Sequence, residues 1–316
     1  MLVTGASGFV GGRVARALTA AGWTVLPTGR RGAGALRAPL DRYRAWDLAV
    51  APLPGVDDAE AVVHCAAAVG DWGPEAAFRR GNVDATRHAL ASVPGAPFVY
   101  VSTSSVYSDA VRTVAVREDA PTGDCAHSAY ARTKAEAERV ALADGAATGR
   151  RVVVLRPHIV YGPGDTTLLP RVLAARRGGR LPIVGRGRQH VSATHVDNLA
   201  HAVRRALAVR DAVGAFNVAD AEPVPLAELL VGLLARLGHP TRLLPLPPAV
   251  AWSAATLVEA AWRAVGAKRG PPLTRYAVGQ LAGEHTLDLT RARERLGYAP
   301  RWSWRDGPLW DDATAR

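Results

Sequence analysis

The chain has 316 residues, 48% hydrophobic and 21% charged, the profile of a globule long enough for a buried core and not of a disordered chain. Its formal net charge is +11, but no basic run interleaves with aromatics as a base-stacking platform requires, so the arginines read as solvated surface and no nucleic-acid partner is expected. The two cysteines, Cys65 and Cys125, form neither a disulfide framework nor a metal-ligand spacing; they suit a reducing compartment, and no metal is expected.

The chain opens as Met1-Leu2-Val3-Thr4-Gly5, a strand running into a glycine turn. It lacks the charged segment, apolar stretch and small-residue cleavage site of a secretory signal, so the expected location is cytoplasmic. Short apolar runs follow at 2–3, 24–26, 61–64, 98–102 and 152–155, separated by helical patterns at 11–21, 75–92 and 130–144. Nearly continuous apolar strands alternating with helices predict an α/β fold: a doubly wound parallel sheet with helices on both faces.

The pattern changes after Tyr161 at the turn cluster Gly162-Pro163-Gly164-Asp165. Helices are expected at 168–177 and 196–209 and a strand at 215–218. From Pro223 onward helices and proline-rich connections dominate. The expected organisation is a dinucleotide-binding domain over 1–161, with 194–220 returning to it, and a smaller, mainly helical substrate lobe built from 162–193 and 221–316. The weakly polar stretch 249–266 is too short, and with Glu259 and Arg263 too charged, for an integral membrane span. It reads as a helix lining a pocket, or as one resting on a membrane surface.

Gly5-Ala6-Ser7-Gly8-Phe9-Val10-Gly11 lies between the first strand and the first helix, the context a dinucleotide fingerprint requires. Gly5 permits the tight turn, Gly8 lets the backbone approach a pyrophosphate at the helix N-terminus, and Gly11 allows helix and strand to pack closely. Ser7, Phe9 and Val10 complete the loop. The second strand should end beside the adenine ribose, where an NAD site usually has a carboxylate. Here Arg30 and Arg31 follow Gly29, and a guanidinium pairs well with a 2′-phosphate, so NADP is preferred over NAD. Asp47 and Leu48 are candidates to meet the adenine. Ala66, Ala67 and Ala68 leave room for ribose and phosphate above the strand ends. His64 has no companion at metal-ligand spacing.

Tyr130-Ala131-Arg132-Thr133-Lys134 puts a phenol and an ammonium one helical turn apart on one face. A free tyrosine has a pKa near 10, too high for acid–base work at neutral pH, and a neighbouring lysine cation is expected to lower it. Upstream, a hydroxyl-rich strand end, Ser102-Thr103-Ser104-Ser105, offers a donor for a substrate oxygen where negative charge develops.

Together these segments resemble the extended short-chain dehydrogenase/reductase superfamily over nearly the whole chain. The resemblance rests on Gly5–Gly11, His64–Ala68, Asn82-Val83-Asp84-Ala85-Thr86, Ser102–Tyr107, Tyr130 with Lys134, Arg156-Pro157-His158-Ile159-Val160-Tyr161-Gly162-Pro163, His195-Val196-Asp197-Asn198 and Leu296–Arg301. It implies hydride transfer between nicotinamide and a ketone or secondary alcohol. Tyr130 would be the acid/base, Lys134 its partner and the ribose ligand, and Thr103 the hydroxyl that holds the substrate oxygen, with Ser104 as the fallback. Pro157 and Val160 would flank the nicotinamide. It also implies a homodimer, paired through the helix carrying Tyr130 and the one before it.

Relatives that act on sugar nucleotides as epimerases or dehydratases commonly carry an arginine four residues before the histidine of the His-Val-Asp segment. That position is Val191 here, with Arg188 and Arg180 as possible substitutes. The segments Ala68–Gly73 and Pro271–Tyr276, and the Pro245–Pro248 stretch leading to Trp252 and Trp262, resemble the 3β-hydroxysteroid dehydrogenase-like branch. The expected substrate is therefore a bulky, largely apolar small molecule: steroid-like, polyketide-like or a β-keto acid. The alternatives are a sugar-nucleotide epimerase or dehydratase with tightly bound cofactor and, more remotely, a non-enzymatic cofactor sensor.

Overall fold

The computed structural model describes residues 1–36, 40–109, 113–267 and 269–309. Strand β1 (Leu2–Thr4) turns into helix α1 (Phe9–Ala20), followed by β2 (Leu26–Gly29), β3 (Arg44–Ala45) and β4 (Val62–His64). Helix α2 (Glu75–Arg79) passes through a π-turn at Arg80–Asp84 into α3 (Ala85–Ser92), then come β5 (Phe98–Val101), α4 (Ala129–Thr148) and β6 (Val152–Pro157). The second half contains β7 (Val160–Tyr161), α5 (Leu168–Ala175), β8 (Arg180–Val184), β9 (His190–Val191), β10 (Thr194–His195), α6 (Val196–Ala208), β11 (Gly214–Val218) and β12 (Val224–Pro225). Helix α7 (Leu226–Arg236), β13 (Arg242–Leu246), α8 (Pro248–Ala264), α9 (Arg275–Ala282) and α10 (Thr290–Leu296) complete it.

Among the described residues the main sheet has seven strands in the order β3-β2-β1-β4-β5-β6-β11, every neighbouring pair parallel. The order reverses at β1, which opens a crevice at the carboxyl ends of β1 and β4, the place where such sheets bind ligands. Adjacent residues of each strand serve opposite faces. Val3, Val63, Val99 and Val153 pack with Val14 and Leu18 of α1 and Leu199 and Val203 of α6. Leu2, Val62, Phe98 and Val152 pack on the other side with Leu90 of α3 and Ala137 and Ala141 of α4. Burial on both faces accounts for apolar runs where a half-buried strand would alternate. A third core forms around Leu181, Ile183, Leu229 and Leu233, where β8 and β13 pair and α7 covers them.

Two local expectations are corrected. The second strand is Leu26–Gly29, which begins later than the apolar run at 24–26 and ends just before Arg30. The proline is tolerated because β3 pairs only with Thr28 and Gly29, leaving Pro27 with β1 as its neighbour. The helix expected at 75–92 is interrupted by the π-turn, where Asn82 leaves the helical pattern to work in the site.

Helix α4 starts at Ser128, whose Oγ accepts from Ala131 N at 3.0 Å, and ends at Gly149 in the left-handed region, φ +74°. Its inner stripe is polar: Tyr130, Lys134 and Glu138 at successive turns. Lys134 and Glu138 are 1% and 2% exposed, so both charges must find partners. Glu138 Oε2 lies 2.7 Å from Arg156 Nη2 at the end of β6, and Arg156 Nε reaches both carboxylate oxygens.

Candidate active site

A cavity of about 410 Å³ opens at the crevice. At one wall is the glycine loop. Gly5 has φ +70°, and a Cβ there would lie 2.6 Å from Ala66 N; a Cβ on Gly11 would lie 2.3 Å from Gly5 O. Helix α1 begins with no side-chain cap and no acidic residue in its first turn, so its orphan N–H groups and the positive end of its dipole remain available to an anion. This cradle fits a dinucleotide diphosphate. Gly5, Ser7, Gly8, Phe9, Val10 and Gly11 all line the cavity.

At the far end Arg30, Arg31, Trp46, Asp47 and Leu48 line the same cavity. Arg31 Nη1 donates to Ser7 O at 3.1 Å, which draws its guanidinium toward the glycine loop. Asp47 Oδ1 accepts from Ala49 N, a local turn bond. Ala66, Ala67 and Ala68 form the wall above β4. Beneath them His64 is fully buried, with Nδ1 2.7 Å from Thr4 Oγ1 and Nε2 3.1 Å from Thr86 Oγ1. Burial pushes its pKa down to about 3. It is a strut between β1, β4 and α3, and no metal-binding cluster occurs among the described residues.

The other end of the cavity is lined by Thr103, Tyr130, Lys134, Pro157 and Val160. Three chain segments converge here. Thr103 leaves β5 and caps a short 3-10 turn, its Oγ1 accepting from Ser105 N at 3.2 Å. Tyr130 and Lys134 come from the first turns of α4. Asn82 braces α4: its side chain accepts from Ala68 N, donates to Ala68 O, and donates to Thr133 Oγ1 at 2.9 Å. The Asn82–Asp84 segment is legible in the sequence, but this bracing role is not, because its partners lie 14 and 51 positions away.

The electrostatics differ from expectation. Lys134 Nζ donates to Val101 O at 2.8 Å and lies 4.0 Å from the centroid of the Tyr100 ring. Burial lowers its pKa to about 7, against the opposing pull of Glu138 and Cys65. Tyr130 is held well above the ordinary tyrosine range, first by burial and then by Tyr276; its hydrogen bond with Thr103 works the other way. In this state the ammonium is engaged by the Val101 carbonyl, and burial dominates the phenol.

A second cavity, of about 550 Å³, lies on the other side of the Thr103–Ser105 turn. Thr103 faces the first cavity and Ser104 the second, where Ser104 Oγ is 2.8 Å from His158 Nδ1. The C-terminal lobe supplies its other wall. Tyr276 donates from its hydroxyl to Ser105 Oγ at 2.9 Å, and Trp252 stands edge-on to His127 with ring centroids 5.4 Å apart. Trp252 lines this cavity and Trp262 does not. The wall is also more polar than an apolar pocket would be, with hydroxyls and imidazoles beside Val116 and Leu287. His158 and Tyr276 lie in segments quoted for the resemblance, yet nothing in their spacing marks them.

Val191 is fully buried in the core of the second lobe, and neither Arg188 nor Arg180 lines either cavity. Asp197 accepts a two-point contact from Arg13 at 2.5 and 2.8 Å, tying α6 to α1. No helix among the described residues is long and apolar enough to cross a membrane. Helix α8 instead buries Ala251, Ala255 and Glu259 against the lobe.

Residues 1–219 match the NAD dependent epimerase/dehydratase family. The chain belongs to this family, within the extended short-chain dehydrogenases/reductases. It is 35% identical over 325 aligned positions to the 2-alkyl-3-oxoalkanoate reductase of Stenotrophomonas maltophilia (strain K279a), covering 97% of this chain and 96% of that protein. It is 30% identical to the 3beta-hydroxysteroid-dehydrogenase/decarboxylase isoform 1 of Arabidopsis thaliana, over 78% of this chain and 60% of that protein. Among solved structures, MoeE5 in complex with UDP-glucose and NAD superposes with a TM-score of 0.72 at 27% identity, covering 97% of this chain and 95% of the other. Reductases and hydroxysteroid dehydrogenases thus flank the chain in sequence, and a nucleotide-sugar protein resembles it in structure.

Proposed function

We propose that the protein reduces a ketone on a bulky substrate of the β-keto acid, steroid-like or polyketide-like class to a secondary alcohol, with NADPH preferred over NADH. It is an NAD(P)-dependent oxidoreductase. The observation that carries the reading is the convergence of Tyr130, Lys134 and Thr103 on one end of the cavity whose other end is the glycine cradle. Hydride for the carbonyl carbon would come from a reduced nicotinamide held in this cavity. Pro157 and Val160 would flank that ring, and Gly5–Gly11 would hold the diphosphate. Arg30 and Arg31 would pair with a 2′-phosphate.

Tyr130 gives its proton to the carbonyl oxygen while Thr103 donates a hydrogen bond to it. The phenol is protonated across the neutral range, the state from which reduction starts; held above its ordinary range it is a weak acid, so the transfer relies on the Thr103 hydrogen bond that opposes the rise. Lys134, now on the Val101 carbonyl, would bond the nicotinamide ribose. Val191 puts no cation in that place, Arg180 and Arg188 lie away from both cavities, and Arg275, which lines the second, is already paired with Glu259. This favours the ketone reading over epimerisation. The family resemblance supports a homodimer paired through α4 and α3, and the two unpaired cysteines suit a cytoplasmic location.

The test is Tyr130→Phe. Removing one proton donor should lower kcat by roughly 10²–10⁴-fold while cofactor affinity, followed by nucleotide fluorescence, changes little. A variant retaining a tenth of wild-type turnover would remove Tyr130 from the acid/base role.

A further inference from the structure

The second cavity holds a group that the proton chemistry does not use. His158 is 6% exposed and lines this cavity. Its Nδ1 is engaged by Ser104 Oγ at 2.8 Å, but its Nε2 is buried without a hydrogen-bond partner. A buried polar atom left alone is costly, so such atoms call for a ligand or a reason. The backbone supplies an independent sign that the placement is imposed. The next residue, Ile159, has φ +40°, in the left-handed region that a β-branched side chain avoids. That turn divides the pair: His158 lines the second cavity and Ile159 lines the first. Strain of this kind persists only where the surroundings enforce it, and it gathers at functional sites.

The chemistry of the imidazole narrows what it reads. Burial, followed by the neighbouring His285 ring 5.5 Å away, pushes the His158 pKa down to about 3, so the ring is neutral. When the Ser104 hydroxyl donates to Nδ1, the single ring proton sits on Nε2 and the free atom is a donor. Ser104 is the immediate neighbour of Thr103, so the ring stands one residue beyond the group that holds the reacting oxygen.

We propose that His158, fixed by Ser104, is a substrate-positioning residue whose Nε2–H donates to a second oxygen of the substrate, the carboxylate of a 3-oxo acid. This rests on the ketone-reductase reading and deepens it. Thr103 and Tyr130 take the 3-oxo oxygen, and His158, held by the hydroxyl of the residue next to Thr103, takes the carboxylate two bonds away. Trp252 with the remaining apolar wall of the second cavity accommodates an alkyl branch.

The test compares two substrates of matched bulk: a freshly prepared 2-hexyl-3-oxoalkanoate, and the dialkyl ketone it leaves on losing carbon dioxide. NADPH oxidation is followed for the wild type, His158→Leu and His158→Gln. For the leucine variant kcat/KM on the keto acid is expected to fall roughly 10–100-fold, mostly through KM, with less than about a threefold change on the ketone. Glutamine, which keeps a side-chain N–H, should restore much of the loss. Equal losses on both substrates, or none on the keto acid, overturn the assignment of His158 while leaving the reductase intact. A wild type that oxidises NADPH with neither compound overturns the reductase reading itself, and this assignment with it.

Discussion

Lys134 is held in a place that suits its task and not its charge. Its folded pKa of about 7 lies below the 10.5 of an unperturbed lysine. Between these values the unfolded chain binds more protons than the folded one, so stability rises with pH across that window. Below pH 7 both states are protonated and the folded protein carries the full cost. The fall from 10.5 to about 7 corresponds to about 5 kcal/mol as an upper bound. The Val101 carbonyl and the Tyr100 ring return roughly 1–3 kcal/mol of it. Lys134→Met keeps the straight apolar stem and removes the ammonium. At pH 6 the cofactor-free variant should be more stable by roughly 2–4 kcal/mol, which for a chain of this length raises Tm by roughly 3–6 °C. The gap should close as pH approaches 10, and turnover should be lost. Circular-dichroism melts of both proteins from pH 6 to pH 10 decide it. A variant that melts below the wild type at pH 6, or two profiles that run parallel, would refute the reasoning. Stability gained as activity disappears is the expected signature of a charge kept for function.

Two further outcomes test the cofactor end. The double variant Arg30→Ser/Arg31→Ser should raise KM for NADPH roughly 10–100-fold and leave KM for NADH within about threefold, because only the 2′-phosphate loses its partners; equal changes for both cofactors would remove the arginines from that role. Gly11→Ala forces a Cβ to 2.3 Å from Gly5 O, a backbone atom that cannot swing away. It should cost roughly 1–3 kcal/mol in urea unfolding and weaken nucleotide binding in fluorescence titration; an unchanged unfolding midpoint would show that the helix and loop are free to separate.

Much of this architecture is local, and what is local is readable. The glycine loop joins its own strand and helix, and Tyr130 and Lys134 are neighbours on one helix, so a window of a dozen residues contains each motif. The parallel sheet is legible for a related reason: burial on both faces leaves an apolar run in the strand itself. The second strand lies later than its apolar run because it continues through Pro27, and the shortness of β3 makes room for a proline there. Asn82, Ser104 with His158, and Tyr276 with Ser105 are different in kind. Their partners are brought together by the sheet order and by the return of the C-terminal lobe, and no periodicity encodes that. The raised phenol is unreadable for the same reason, since Tyr276 and the Val101 carbonyl that holds the ammonium belong to other elements.

The polar stripe on α4 has a consequence for how the helix is seated. Tyr130, Lys134 and Glu138 repeat at four-residue intervals, and each meets a different group: the cavity, the Val101 carbonyl and the Arg156 guanidinium. An all-apolar stripe would tolerate sliding by one turn, since one methyl group replaces another at little cost. Here the same slide sets a carboxylate against a carbonyl oxygen, or an ammonium against a guanidinium. Phenol, cation and anion thus act as a keyed lock, admitting one axial position of the helix on the sheet. The same residues that carry the proton chemistry therefore also fix, to within a fraction of a helical rise, where that chemistry takes place.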